Sequence, residues 1–147
     1  MTTFPDMLYQ LGGVPVGGML TQGNVYHVKP STGSDGNAGT SLLSPFKSIM
    51  KAHESMTADQ NDVCLFYPQD NSASGCTDYI AVAKPLVWDA DLTHLIGTGA
   101  VTPFGTRSRV AWVSTASTSS DTVLATFSGN ACFVANMAFY CGINDAN

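Results

Sequence analysis

The chain has 147 residues, enough for one domain with a core of its own. Hydrophobic residues make up 44% and charged residues only 12%, against about 25% charged in an ordinary domain; Ser, Thr, Asn and Gln must cover much of the surface, and the low hydrophobicity of a disordered chain is absent. Eleven acids against six bases give a net charge of −5 and a pI near 4.7, which argues against a phosphate-backbone binder with a basic patch.

Residues 1–23 read as an extended arm. Gly12-Gly13 and Gly17-Gly18 punctuate it, and Pro5 and Pro15 interrupt any regular ladder. It carries Phe4, Leu8, Tyr9, Leu11, Val14 and Val16, too much apolar surface for a free tail. These six are the expected assembly contacts. They bury either against their own domain or against a neighbouring subunit or another protein. The stretch has no basic n-region, and Asp6 and Gln10 break its apolar run, so it does not read as a signal peptide. No apolar run reaches the roughly 18 residues of a membrane span.

Residues 24–147 read as the body. Val25-Tyr26-His27-Val28 alternates, with Tyr26 and Val28 on one face, and predicts a strand that Pro30 ends. Ser31–Thr40 is a turn-rich loop whose single carboxylate, Asp35, is too little for a calcium loop. Ser44 as N-cap, Pro45 at the first helical position, and Phe46, Ile49, Met50 and His53 on one face predict a helix over Pro45–Met56. Its expected task is to cover one end of a β-core.

Short apolar runs follow. Strands are expected at Val63–Tyr67, Tyr79–Ala83, Leu86–Trp88, Leu92–Ile96, Val110–Val113 and Val123–Phe127. Cys132–Phe139 supplies two further short pieces around Asn136. The pattern is all-β. A parallel coil of roughly 20–25 residues fits it loosely, and a sandwich or jelly roll fits as well.

No site chemistry stands out. Cys64, Cys76, Cys132 and Cys141 lack zinc spacing, and Cys64 and Cys132 sit in apolar runs as expected buried thiols. His27, His53 and His94 fall in different elements, so no metal, cofactor or catalytic residue is expected. Asp89-Ala90-Asp91 reads as a solvated turn and not as a glycosidase carboxylate pair. Arg107 and Arg109 read as surface or subunit contacts. Trp88, Trp112, Tyr79 and Tyr140 read as core or interface aromatics.

The order of elements resembles the opening of right-handed parallel β-helix proteins of the pectate-lyase-like superfamily. The matching residues are Val25–Val28, the loop Gly33-Ser34-Asp35-Gly36-Asn37-Ala38-Gly39, the segment Ser44–Ala52, and Asp62-Val63-Cys64-Leu65. Lys84-Pro85-Leu86, Leu95-Ile96-Gly97-Thr98-Gly99, Phe127-Ser128-Gly129-Asn130 and Asn136-Met137-Ala138-Phe139 follow in the expected order. The resemblance implies a short right-handed parallel β-helix with an N-terminal cap helix, either complete or the first part of a longer solenoid. An apolar Gly- and Pro-bearing arm before such a body is similar in organisation to virion proteins of tailed bacteriophages. That implies a non-enzymatic particle component, as capsid decoration, cement or tail attachment. Its partners would be other virion proteins and copies of itself, trimers being common in such proteins. Nucleic acid and membrane are not expected partners. Two alternatives stay open: the N-terminal portion of a receptor-binding or polysaccharide-depolymerising spike, and a carbohydrate-binding module contacting glycan.

Overall fold

Every strand pairing among the described residues is parallel. The computed structural model describes residues 23–68, 77–80, 85–99, 108–112 and 123–140, with the backbone alone at 77–80, 112 and 140. The elements are β1 (Val25–Val28), α1 (Ile49–Ser55), β2 (Asp62–Phe66), β3 (Thr77–Ile80), β4 (Leu86–Trp88), β5 (Thr93–Gly97), β6 (Arg109–Trp112), β7 (Ala125–Phe127), β8 (Phe133–Ala135) and β9 (Ala138–Tyr140). The class is all-β with one short helix. Parallel neighbours cannot be joined by hairpins, and the antiparallel pairs of a sandwich or jelly roll are absent among the described residues.

The strands form three small sheets, ordered β1-β2-β5-β8, β3-β6-β9 and β4-β7. From β2 onward the chain visits them in rotation: first sheet, second, third, and first again. Residues in register between neighbouring strands lie 29 to 39 positions apart in the sequence. This is longer than the expected coil of roughly 20–25 residues.

Alternation decides the core. In β1, Tyr26 and Val28 point inward and Val25 stays exposed. Register then stacks like on like: Tyr26 beside Cys64 beside Leu95, and Val28 beside Phe66. A slip of one residue would turn every one of these outward. Leu86 and Trp88 enter the same core from the third sheet, Val110 from the second, and Ile49 and Ala52 from the helix. β5 is buried along its whole length, as strands covered on both faces are.

The helix begins later than its sequence pattern predicts. Ser48, not Ser44, is the N-cap, and its side chain accepts the Lys51 amide. Phe46 instead makes a parallel bridge with Val28: its amide donates to His27 O and its carbonyl accepts from Lys29 N, both at 2.9 Å. Pro45 suits an extended entry as well as a helical one, because its ring fixes only φ. Asp35 then sets the true start, accepting from the Lys47 and Ser48 amides at 2.9 Å and from the Ser48 hydroxyl at 3.0 Å. The Phe46 ring stacks on Tyr26 at 6.0 Å. It fills the space a side chain at Gly39 would need, where φ is +72°. At the helix's other end the Tyr26 hydroxyl donates to Ser55 O at 2.7 Å. Burial, with the nearby Asp62 charge, pushes that phenol's pKa up.

Asp62 fastens two remote segments. It is fully buried; Oδ1 accepts from Asn24 N at 2.6 Å and Oδ2 from Thr57 N at 2.8 Å. Removing the carboxylate leaves both amides short of a partner. Asp62→Ala is therefore expected to cost about 3 kcal/mol, since bonds to a charged acceptor are worth about 1.5–3 kcal/mol each and do not add fully. Urea denaturation checks this; a loss below about 1 kcal/mol would show that water replaces the carboxylate.

One corner repeats through the layers. Asn61, Leu92 and Ala131 all have φ between 51° and 57°. The register that pairs Asp62 with Thr93, and His94 with Phe133, places the three at equivalent points before β2, β5 and β8. Cross-layer bonds follow the same corner: Asp59 N to Asp91 O and Leu92 N to Asn130 O, both 2.9 Å. Asn tolerates this conformation, while Leu and Ala are strained in it by about 1–2 kcal/mol. Ala131 is exposed and loses little packing when trimmed. Ala131→Gly is thus expected to stabilise by about 0.5–1 kcal/mol after the entropy of glycine is counted, read as a Tm a few degrees higher.

Candidate assembly surface

The body's two ends differ. At the β1 end the outer strand edge is taken: His27 N donates to Gly39 O at 2.7 Å, and Phe46 bonds to both His27 and Lys29. Helix α1 packs over β1, β2 and β4. At the other end stand β7, β8 and β9, the last strands of their sheets. Among the described residues nothing pairs with their outer edges.

This terminal layer is apolar and uncharged. Phe127, Phe133, Val134 and Phe139 are 37% to 41% exposed. The Phe127 and Phe139 rings meet edge to face at 5.6 Å across two sheets, a favoured aromatic geometry. Residues 123–140 contain no Asp, Glu, Lys, Arg or Pro, the residues that natural proteins use to blunt open strand edges. The closed end carries a second apolar feature. Leu43 is 96% and Leu42 46% exposed, at the tip of a turn held by Ser44 N to Ser41 O at 3.0 Å and Leu43 N to Ser41 Oγ at 3.2 Å. Sequence reasoning passed over both features. The charge-free run at 123–140 was the available signal for the first; nothing marked the Leu42-Leu43 pair as outward.

The predicted assembly contacts Phe4, Leu8, Tyr9, Leu11, Val14 and Val16 lie outside the described residues. So do Cys76, Arg107, Cys141 and the side chains of Tyr79, Trp112 and Tyr140. The remaining candidates are scattered. Asp89 is exposed. Asp91 accepts from Asn130 N at 2.6 Å and Asn130 Nδ2 at 3.1 Å, and these bonds hold its carboxyl below the usual range. Both sit in the expected turn before β5. Trp88 is fully buried, so it serves the core and no sugar platform. Cys64 is buried in β2, and Cys132 is a thiol 3.3 Å from Ala90 O.

The histidines do not converge. His27 stacks on Tyr67 at 5.6 Å. His53 packs on Trp88 at 4.6 Å, its Nε2 3.7 Å from Asp89 Oδ1 and beyond hydrogen-bond length. His94 lies within β5. Burial lowers the pKa of all three, and for His53 the Asp89 charge partly opposes it. Among the described residues no group of three or more His, Cys, Asp or Glu is placed to hold a metal ion, and no helix is long and apolar enough to cross a membrane. The arrangement offers surface to bury and strand edges to pair. Comparison with family models, curated proteins and solved structures found no match.

Proposed function

We propose that this chain is a structural component of a bacteriophage particle. Its body is read as a short right-handed parallel β-helix, and its apolar arm, residues 1–23, as the attachment to neighbouring proteins. The β-helix reading is supported by the parallel pairing of the described strands, by the rotation among three sheets, and by the left-handed corner recurring before β2, β5 and β8. The observation that carries the assembly role is the contrast between the ends. One is sealed by α1 and Phe46; the other offers the uncharged layer of Phe127, Phe133, Val134 and Phe139. Contiguous apolar surface of this kind marks interaction sites. The particle setting itself rests on the resemblance of arm and body to tailed-phage virion proteins.

Replacing Leu8, Tyr9 and Leu11 by Ser in the full chain tests the arm. Particles assembled with this variant are expected to lose most of the chain, while the purified variant keeps its Tm. Full incorporation would overturn the anchoring role. A second reading, the first coils of a longer receptor-binding or depolymerising spike, is favoured by the outer edges of β7, β8 and β9, which are unpaired among the described residues and on which further coils would stack.

A further inference from the structure

We infer that His94 is a pH-sensitive latch, holding β8 and the terminal layer more tightly against the body while its imidazole is neutral. The residue is 5% exposed and lies on the face of β5 opposite the core residue Leu95. Nδ1 lies 3.2 Å from the Phe133 amide nitrogen. A backbone amide can only donate, so Nδ1 carries the lone pair and the ring proton sits on Nε2. That nitrogen lies 3.4 Å from Asn61 Oδ1, which accepts it. One neutral ring thus ties the corner before β2 to β5, and β5 to β8.

Protonation would put a second N–H at Nδ1, facing the N–H of Phe133. The acceptor is lost and two donors oppose each other in a buried place. The surroundings offer the cation no relief. Beside His94 in the sheet stand Val63 and Phe133. Asp62 pairs with Thr93, one position off, and its carboxylate is committed to the Asn24 and Thr57 amides. Asp91 is committed to Asn130, and β8 has no titratable side chain. Among the described residues no charged group faces the ring, and burial lowers its pKa.

The sign follows from linkage. A folded pKa below the ordinary value of about 6.5 means that the released state binds the proton more readily. Attachment is intact above about pH 6.5 and weakens as pH falls toward the folded pKa, by up to about tenfold per pH unit in that window. Below the folded pKa no further loss follows.

Hydrogen exchange of the full chain between about pH 7.5 and pH 5 tests this, read as protection factors corrected for intrinsic rates. Protection at Phe133 and Val134 is expected to fall while Val63 and Cys64 in β2 stay protected. His94→Gln is expected to flatten the pH dependence at β8. A fall shared equally by β2 would mean global unfolding and overturn the latch, as would an unchanged profile in His94→Gln. Should that variant lose β8 at every pH, nitrogen NMR of the native imidazole decides. The latch requires an unprotonated Nδ1 at neutral pH and a Phe133 amide shift that titrates with the ring; a protonated Nδ1, or an amide that does not move, contradicts it.

Discussion

Gly97→Ala is expected to lower stability by about 3 kcal/mol, because overpacking costs about 1–3 kcal/mol and each lost buried hydrogen bond about 1 kcal/mol. A Cβ at Gly97 would lie 2.1 Å from Asn136 O, 2.5 Å from Ser108 Cβ and 2.7 Å from Ser108 Oγ. The nearest obstacle is backbone, so no rotamer change clears it. Moving Asn136 would pull its Nδ2 away from Gly97 O and Gly99 O, which it reaches at 2.7 and 2.6 Å. Moving Ser108 would break its bonds to Phe66 O and from Gly99 N, both 3.2 Å. These bonds join three layers at the corner between the first and second sheets. The reduced chain entropy of alanine returns only about 0.4–1 kcal/mol. Gly36→Ala is the matched control: its Cβ would meet only Ser34 Oγ, at 3.6 Å, and near-neutral stability is expected. Urea midpoints of the two variants give the comparison, and equal midpoints would refute the close-packed corner.

Trp88→Ala is expected to cost about 4 kcal/mol, within the range of about 3–5 kcal/mol for large aromatic truncations in cores. Trp88 is fully buried, touches His53 of α1 at 4.6 Å and Phe127 of the terminal layer at 6.5 Å, and donates from Nε1 to Thr93 O at 3.3 Å. Its removal opens a cavity between the cap helix and the third sheet. The His53 pKa, lowered by burial, is then expected to rise toward its ordinary value as water enters. Trp88→Phe keeps most of the volume and is expected to cost about half as much. A Trp88→Ala loss under about 2 kcal/mol would mean that the helix collapses into the space.

The strands were legible where alternation and burial agree. Leu86–Trp88 was read to the residue, and Asn136 was read as the break between β8 and β9, where its φ of 54° bends the chain. The expected strand Tyr79–Ala83 begins two residues later than β3 at Thr77–Ile80, because register with β6 and not local pattern sets that start. The helix start is not legible in the sequence because Ser44-Pro45 suits an extended entry as well as a helical one, and the deciding group, Asp35, lies 12 and 13 residues away from its partners. The strained corners at Leu92 and Ala131 had no compositional mark, since neither residue type favours that conformation. The fastening roles of Asp62, Ser108 and Asn136 each include a partner 37 to 42 residues distant. The expected assembly contacts of the arm lie outside the described residues. The terminal layer follows from the stacking order of the strands.

Membership of a virus particle is the proposed role of this chain. Its copy number in purified source particles, by quantitative mass spectrometry, tests that most directly. Hundreds of copies would place it on the shell, and a count from three to a few tens at the tail; both agree with the account. Its absence from the particles would contradict it.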